Sequence, residues 1–300
     1  MRSYLVLTSP AAGNTKEEIL TPALDVLRTS GTVEVMETGS PEELDAALGR
    51  RGEQDRALVV AGGDGSLHAV VNALHRRGEL EGTTLGLLPL GTGNDFARGL
   101  QLPTDPAEAA QVIVHGEPRP LDILVDEEGG VVVNSVHAGA GAEAARAAEG
   151  WKERWGRIGY AVGAVRSVIS PQDVRLCVEV DGEVVCAPAE PILQVAIGNG
   201  RYVGGGAPLT PEAQPDDGLA DVLVAATVGL RKRLVYAASL LAGRHHRHPD
   251  VTALSARRVR IEGGEFWCSE DGELTGPHHR REWRVVPSAY TLLVGRRPVG

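Results

Sequence analysis

The sequence predicts two domains: an α/β domain with a parallel sheet over residues 1–123, and a mostly antiparallel β-sandwich over 124–288. Strand-like apolar runs alternate with helical patterns over the first 125 residues, which is typical of a parallel sheet with crossover helices. From about residue 121 hairpin-like segments dominate. A length of 300 residues is enough for about two domains. The extreme C-terminus, about 289–300, is expected to pack back on the first domain.

The first domain consists of strand–helix pairs. In chain order the sequence predicts a strand at 3–10, a helix at 16–30, a strand at 32–39, a helix at 40–50, a strand at 57–63, a helix at 66–78, a strand at 84–91 and a helix that starts at 94. Ser40 and Pro41 form a typical helix start, a capping residue followed by proline at the first helical position. Ligands of such sheets bind at the carboxyl ends of the strands.

The second domain is built from hairpins. One hairpin turns at Glu128–Gly130, and another turns at Asp181–Gly182, because Asp-Gly is a strong turn signal. Helical patterns interrupt the strands only at 155–170 and 230–243. These features favour a β-sandwich or an open barrel.

The composition excludes several classes of protein. A net charge of −10 argues against a nucleic-acid binder that works through overall charge. Cys177, Cys186 and Cys268 form no CxxC pair, which favours a reduced, intracellular protein over a disulfide framework or a zinc site. No stretch approaches the roughly 20 apolar residues that cross a bilayer, and the N-terminal apolar run is too short for a signal peptide. We expect a cytoplasmic protein, or at most one attached to the inner face of the membrane.

Two glycine-rich turns follow successive strands of the predicted sheet. The first turn, Gly62–Ser66, and the second, Gly91–Asp95, each contain an acid where a helix begins. Glycine lets the backbone approach a ligand closely, and a strand–turn–helix junction collects N–H groups that attract phosphate. Since a carboxylate would repel phosphate, Asp64 is better explained as a partner for Mg²⁺, through water, or for a hydroxyl. The alternative is that Asp64 and Asp95 are ordinary turn or N-cap residues.

Other nucleotide and catalytic signatures do not fit. The P-loop pattern GxxxxGK[ST] is absent, as are HExxH, GxSxG and paired CxxC. The stretch GAGAEA at 139–144 matches GxGxxA, but it lacks the ribose-binding acid at the expected distance and falls in the β-rich half. A P-loop protein is excluded, and a dinucleotide site is disfavoured.

Four motifs in order resemble those of the soluble diacylglycerol kinase-like lipid kinases, the bacterial relatives of diacylglycerol and sphingosine kinases. GGDGS at 62–66 resembles the family's GGDGT, and PLGTGNDFAR at 89–98 matches its second signature. The segment 197–222 matches NG…GGG…P.A..DDGLLDV, and EDGEL at 270–274 matches the late DGE motif. NAD kinases and phosphofructokinases carry a turn like the first, so only the ordered set of four is specific.

The resemblance implies a phosphofructokinase/NAD kinase-like α/β domain that binds ATP, a β-rich lipid-substrate domain, and a nucleotide in the cleft between them. By this match the nucleotide would be held by residues of both glycine turns and of the end of the second strand. These residues are Thr38, Gly62, Gly63, Asp64, Gly65, Ser66, Gly91, Thr92, Asn94 and Asp95.

The resemblance also implies a catalytic pair and a metal-binding loop. Asp271 would be the general base that takes the proton from the lipid hydroxyl, with Glu273 beside it; a carboxylate that orients the nucleophile suits phosphoryl transfer. In QPDDGL a structural Mg²⁺ would be bound by Asp217 and by the carbonyls of Gln214 and Leu219. Without the family match, EDGE would be a hairpin turn and QPDDGL an ordinary Asp-rich turn. For Asp271 both interpretations can hold.

The sequence departs from the family pattern at three places. Ser66 stands for the usual Thr and keeps the hydroxyl. His68 and Ala69 stand where relatives usually carry Asn and Glu, which could weaken nucleotide or metal positioning. The first strand ends in TSPAAGN (8–14) instead of the more usual Asn-Pro-x-Ser-Gly, and this puts its nucleotide contact in doubt.

The stretch 228–260 is basic within an acidic chain. Its one acid is Asp250, and its basic residues are Arg231, Lys232, Arg233, Arg244, Arg247, Arg257, Arg258 and Arg260. The predicted helix in this stretch either rests on anionic lipid headgroups or is a solvated helix with its leucines in the core. In the second case the core leucines are Leu230, Leu234, Leu240 and Leu241.

These observations lead us to expect ATP- and Mg²⁺-dependent phosphorylation of a lipid hydroxyl, that of diacylglycerol or a related lipid. The expected partner is a lipid at a membrane surface, with peripheral membrane contact and a homodimer left open, and no nucleic acid. One alternative is a nucleotide- or lipid-binding protein with little catalysis, which His68 and Ala69 motivate. The other is a kinase of a soluble substrate, against which the continuous GTGNDFAR speaks.

Overall fold

The computed structural model describes residues 2–9, 13–50, 56–139, 142, 174–187, 190–226 and 229–296. The chain divides into two compact units, Met1–Asp122 with Ser288–Gly300, and Ile123–Pro287. The predicted helix at 155–170 and most of the GAGAEA stretch lie outside the described residues.

The first unit alternates strands and helices. Its elements are β1 (Arg2–Thr8), α1 (Gly13–Ser30), β2 (Gly31–Glu37), α2 (Pro41–Gly49), β3 (Ala57–Gly62), α3 (Asp64–Arg76), β4 (Thr84–Pro89), α4 (Asp95–Gly99) and α5 (Pro106–His115). The predicted cap of α2 is present, because the Ser40 hydroxyl accepts a hydrogen bond from the Glu43 N–H at 3.2 Å and Glu43 accepts one from the Gly39 N–H at 2.7 Å. The arrangement resembles a capping box, except that Glu43 accepts the N–H of Gly39 and not that of the N-cap residue Ser40.

The strands of the first unit form a parallel sheet in the order β2–β1–β3–β4. Next to β4 lies the end of β17 (Glu273–Val294), where Thr291 pairs with Thr84 in parallel. Thr8 is in register with Ala61, so β1 and β3 end at the same edge. The predicted α/β domain with a parallel sheet is confirmed.

Both faces of the strands β1, β3 and β4 are buried, whereas the edge strand β2 is largely exposed. Tyr4, Val6 and Val59 pack with α1 and α5, while Leu5 and Val60 at the alternate strand positions are also buried. A parallel sheet covered on both faces requires near-continuous apolar strands, and this explains the unbroken runs of Val, Leu and Ala.

The second unit consists mainly of antiparallel strands. Its elements are β5 (Glu117–Asp126, from residue 123 onwards), β6 (Val131–Val132), β7 (Ser135–Gly139), β8 (Val174–Val180), β9 (Glu183–Cys186), β10 (Pro191–Ile192), β11 (Gln194–Gly198), β12 (Tyr202–Val203), β13 (Ala207–Pro208), β14 (Ala220–Ala225), α6 (Leu230–Leu241), a 3₁₀ turn (His245–Arg247), β15 (Val251–Ala256), β16 (Arg258–Glu270) and β17 up to residue 287.

Strand β16 contributes to both sheets of a sandwich. Its C-terminal residues extend the sheet β15–β14–β11–β7, and its N-terminal half pairs with β8, which pairs with β9 and β10. The register of β16 against β17 shifts between Glu262 and Cys268, so an irregularity lies where the strand passes from one sheet to the other. Val178, Val195 and Trp283 lie in the core between the sheets. The mostly antiparallel β-sandwich is confirmed.

The predicted hairpin turn at Asp181–Gly182 joins β8 to β9, and the positive φ angles of 51° and 91° are those of a two-residue hairpin turn. All three cysteines lie in the described part of the chain, and none of them forms a disulfide. None of the described helices is long and apolar enough to span a bilayer.

Candidate functional site

The two glycine turns of the first unit touch each other through their backbones. Gly62 pairs with Pro89, and the Leu90 N–H donates to the Gly62 carbonyl at 2.9 Å. A Cβ atom on Gly91 would lie 2.5 Å from the Gly63 Cα, closer than real Cβ atoms approach. The turns therefore meet only because both positions are glycine.

The side chain of Asn94 stabilises the second turn. It has a left-handed backbone with φ of 51°, which asparagine tolerates better than most residues. Its side-chain oxygen accepts a hydrogen bond from the Gly91 N–H at 2.9 Å, and its amide donates to the carbonyls of Gly91 at 2.8 Å and Pro89 at 3.2 Å. The side chain therefore replaces backbone bonds that the tight turn cannot make.

Asp64 connects the first turn to the second. Its two carboxylate oxygens accept hydrogen bonds from the N–H groups of Asp95 and Phe96, both at 3.0 Å, and so cap the start of α4. The carboxylate of Asp95, which is buried, also borders Gly93. The capping role that the sequence left open for Asp64 is present, but the helix that it caps follows the other turn.

The start of α3 remains open to an anion. Its first residue is Asp64, and Gly63 before it is extended and provides no side-chain cap. A Cβ on Gly62 would lie 2.2 Å from the Ser66 hydroxyl, so glycine is required there too. Gly65 and Thr92 are exposed. An uncapped N-terminus of a 13-residue helix presents backbone N–H groups and the positive end of the helix dipole.

Thr38 lies at the same edge of the sheet. Its backbone N–H and its hydroxyl both donate to the carbonyl of Thr8, at 2.8 and 3.2 Å. Thr8 is in register with Ala61, which directly precedes the first glycine turn. The residues predicted to hold a nucleotide thus lie along one edge of one sheet.

In the second unit, Asp271 occupies the hairpin turn between β16 and β17. Its φ of 49° and the φ of 89° at Gly272 confirm the turn that the bare sequence suggested. The carboxylate accepts three backbone hydrogen bonds, from the N–H groups of Val133 at 2.7 Å, Asn134 at 2.8 Å and Ser135 at 3.0 Å. Three donors fix the position and orientation of this carboxylate. Glu273, the first residue of β17, is exposed.

Segment 133–135 is also held by residues 197–200 (IGNG), the start of the third matching motif. The Asn199 side-chain amide donates to the Val133 carbonyl at 2.7 Å. The N–H groups of Asn199 and Gly200 donate to the Asn134 carbonyl at 2.9 and 2.7 Å. Sequence comparison identified this motif without a role, and the structure gives it one: it supports the backbone that holds Asp271.

A buried ion network near the same turn was missed by the sequence analysis. Arg281 donates to Asp126 at 2.7 Å and to Glu270 at 2.8 Å, and the Arg281 and Asp126 side chains are only 4% and 5% exposed. Glu270 directly precedes Asp271, while Asp126 accepts the N–H groups of Glu128 and Gly130 ahead of segment 133–135. The network therefore ties together the two stretches that meet at Asp271.

The charges of this network depend on one another. Burial raises the pKa of Glu270, and the hydrogen bond and charge of Arg281 oppose that effect. Burial alone would lower the pKa of Arg281, but its pairing with Glu270 and then with Asp126 raises it above the ordinary value. The guanidinium also lies 5.4 Å from the centre of the Trp283 ring, at cation–π distance.

The predicted metal loop forms a turn around Gly218, whose φ is 76°. Asp217 is exposed, and one of its carboxylate oxygens accepts the Leu219 N–H at 3.0 Å. Gln214 is exposed as well. No three His, Cys, Asp or Glu side chains within the described ranges cluster as a metal site. The predicted ligand set needs only one carboxylate, since the other two ligands are carbonyls.

Both parts of the chain match known families. Residues 3–125 match the diacylglycerol kinase catalytic domain, and residues 134–294 match the YegS C-terminal NAD kinase beta sandwich-like domain. The chain belongs to the diacylglycerol kinase-like lipid kinase family. The resemblance inferred from its motifs is confirmed.

Curated relatives and solved structures agree with this assignment. "Probable lipid kinase YegS-like" of Stenotrophomonas maltophilia (strain K279a) is 37% identical over 56% of this chain and 55% of its own length. The protein of the same name from Cronobacter sakazakii (strain ATCC BAA-894) is 31% identical over 72% of each chain. The first of these matches spans only about half of the relative, 55%.

Two solved structures from Bacillus anthracis str. Sterne share the fold over 98% of this chain. One, named as a diacylglycerol kinase, has a TM-score of 0.75 at 21% identity and is covered over 97% of its length. The other has a TM-score of 0.81 at 26% identity, with 95% of its length covered. The first likeness concerns the fold alone.

The contact between the glycine turns predicts the effect of Gly91→Ala. The new Cβ would meet the Gly63 backbone at 2.5 Å and should lower the free energy of unfolding by roughly 1–3 kcal/mol. The control is Gly49→Ala, where a Cβ meets nothing within 4 Å. Urea denaturation compares the two variants; equal stability would show that the turns can separate at no cost.

The buried network predicts a large difference between adjacent arginines. Arg281→Met leaves the Asp126 and Glu270 carboxylates buried without their cation and should destabilise the second unit by about 3–5 kcal/mol. Arg280→Met removes a side chain that is 59% exposed and 3.4 Å from Glu262, and should cost under about 1 kcal/mol. Urea denaturation checks both; a mild Arg281→Met variant would mean that the network contributes little to stability.

Proposed function

We propose that this protein transfers a phosphoryl group from ATP to a hydroxyl of a lipid, with diacylglycerol or a related lipid as the acceptor. The observation that carries the proposal is the contact of the two glycine turns beside the uncapped start of α3. Phosphoryl transfer requires positioning and charge neutralisation more than covalent chemistry from the protein. The backbone N–H groups at this edge of the sheet can position a triphosphate, which is the first of these requirements.

The residues of the two turns have different roles in this proposal. Gly63 and Gly65 offer N–H groups to the phosphates, and Ser66 offers its hydroxyl, since its N–H already donates to the Gly63 carbonyl at 3.1 Å. Exposed Thr92 adds a second hydroxyl. Asn94, with Gly91, keeps the second turn in shape. Asp64 and Asp95 provide carboxylates at Gly93, which suit Mg²⁺ better than phosphate. Bound Mg²⁺ would neutralise phosphate charge there.

Asp271 is proposed to orient the acceptor hydroxyl and to take its proton. The three N–H donors support this role because they fix the carboxylate in one orientation, as a positioned base requires. In a loose phosphoryl-transfer transition state the nucleophile needs alignment more than strong deprotonation. Glu273 is proposed as a second acid beside it.

Asp181 provides a control for the turn that Asp271 occupies. Like Asp271, it precedes a glycine in a two-residue hairpin turn, has a φ near 50° (51°), and accepts backbone N–H groups, those of Arg257 and Arg258. Asp271→Asn should lower stability more than Asp181→Asn, because Asp271 is partly buried and accepts three backbone N–H groups, whereas Asp181 is exposed and accepts two. Only Asp271→Asn should lower transfer of radiolabel from ATP to vesicles that contain diacylglycerol, by about 100-fold or more. Equal transfer by the two variants would remove Asp271 from the mechanism.

The alternatives give other results in the same assays. A protein with little catalysis, for which His68 and Ala69 are the motive, would bind ATP without labelling any lipid. A kinase of a soluble substrate would label NAD or another soluble acceptor, which a direct assay with NAD tests.

A structural Mg²⁺ in loop 214–219 is a separate proposal. The exposed Asp217 carboxylate and the carbonyls of Gln214 and Leu219 are hard oxygen ligands of the kind that Mg²⁺ prefers. Mg²⁺ should raise the thermal midpoint of the wild type but not that of Asp217→Ala, with K⁺ at equal ionic strength as the control. The same rise in both proteins would leave the loop an ordinary Asp-rich turn.

A further inference from the structure

Helix α6 exposes an unusual amount of apolar surface. Among the described residues, seven large hydrophobic side chains are exposed, and four of them lie on this helix: Leu230 (56%), Leu234 (48%), Val235 (51%) and Leu241 (74%). From the sequence, two interpretations of this helix were open: it rests on anionic lipid headgroups, or it is a solvated helix whose leucines lie in the core. Of the four leucines expected in that core, Leu230, Leu234 and Leu241 are exposed.

These side chains form one continuous arc. At 100° per residue, Leu230, Leu234, Ala238 and Leu241 follow one another along one side of the helix, and Val235 borders them. Ala238 and Ala242 in the same arc are exposed too. The one charged residue in the arc is Arg231, whereas the solvent side of an ordinary surface helix is mostly polar.

The opposite side of α6 already attaches the helix to the protein. Tyr236 is buried with Leu193 and Ala225, and its hydroxyl accepts a hydrogen bond from the Gln194 side chain at 2.6 Å. Leu240 packs against Leu209 and Leu223. The buried side therefore attaches the helix to the described part of this unit, and the arc stays exposed there.

Basic residues flank the arc. Arg231 lies beside Leu234 and Val235 on the helix surface, and Arg244 and Arg247 follow its C-terminal end. The helix contains no acidic residue, and Asp250, the one acid of residues 229–250, pairs with Lys232 at 2.9 Å. Residues 229–250 therefore carry an excess of positive charge, although the whole chain has a net charge of −10.

We propose that the exposed arc of α6 docks on an anionic lipid bilayer, with its leucines in the boundary between headgroups and acyl chains. An apolar face flanked by arginines is the composition of helices that lie in the plane of a membrane surface. Arg231, Arg244 and Arg247 provide the charge complementarity with anionic headgroups.

A second copy of the chain fits this surface less well. In a two-fold dimer the same patch meets itself, so each arginine beside the arc would face its own equivalent or a neighbouring arginine. Anionic headgroups would instead place opposite charges beside these arginines. A bilayer with anionic headgroups therefore fits the local charge of this surface better than a second copy does.

The test measures binding of the full chain to vesicles without ATP, so its outcome does not depend on kinase activity. Wild type should partition into phosphatidylglycerol vesicles more strongly than into phosphatidylcholine vesicles. Leu234→Glu/Leu241→Glu should lower the partition coefficient by at least about tenfold. Arg231→Gln/Arg244→Gln should abolish the preference for phosphatidylglycerol, and with it most of the salt dependence.

The matched control is Val184→Glu, which places the same charge at another exposed apolar side chain, 60% exposed on β9. It should bind vesicles like the wild type, and all variants should keep the wild-type circular dichroism and thermal midpoint. Equal loss of binding in Val184→Glu and in the α6 variant would overturn the proposal. Absence of vesicle binding by the wild type would also overturn it. So would a self-association in sedimentation equilibrium that the α6 substitutions abolish, since the arc would then be an interface between copies.

Discussion

The backbone contact between Gly63 and Gly91 is the constraint on which the candidate site depends. Two neighbouring parallel strands end together, and the turns that follow them can touch only where no Cβ intervenes. The contact brings the N–H groups of Asp95 and Phe96 to the carboxylate of Asp64, which belongs to the other turn. One acid thus fastens the start of α4 while its own helix, α3, begins without a cap. The start of α3 is uncapped and the start of α4 is capped for one reason: the Asp64 carboxylate binds the N–H groups of α4.

The second unit fixes its candidate acid by the same physical means. A carboxylate in a tight Asp-Gly turn accepts backbone N–H groups from a distant segment, both at Asp271 and at Asp181. Charge-assisted hydrogen bonds of this kind are stronger than neutral ones and bind two pieces of chain firmly. The two turns differ in what supports the bound segment. The segment bound by Asp271 is also held by the Asn199 bonds, and the Arg281 network lies beside it, so more interactions stabilise this turn.

The sequence predicted the parts of the molecule that depend on local pattern. Alternating strands and helices, the Ser40 cap of α2 and the turns at 181–182 and 271–272 each follow from neighbouring residues. The Arg281 network could not be found in this way, because Arg281 and Asp126 are 155 positions apart and nothing local marks either residue as buried. The partners of Asp64 were missed for a similar reason: a carboxylate beside a helix start is normally assigned to that helix. Periodicity predicted α6, but it could not tell which of two apolar sides faces the protein.

That ambiguity in α6 has a physical explanation. A helix with one apolar side has a single way to pack, whereas α6 has apolar residues on both sides and must leave one of them in water or in lipid. Each half-exposed leucine or valine would contribute on the order of 1 kcal/mol to the free energy of membrane binding when it enters the bilayer boundary. Each arginine would contribute about 1 kcal/mol near anionic headgroups. The apolar contribution to binding does not depend on salt, whereas the electrostatic contribution of the arginines is screened within about 10 Å at 0.1 M salt. Attachment of this strength is reversible, so a protein held in this way can leave one membrane and reach another.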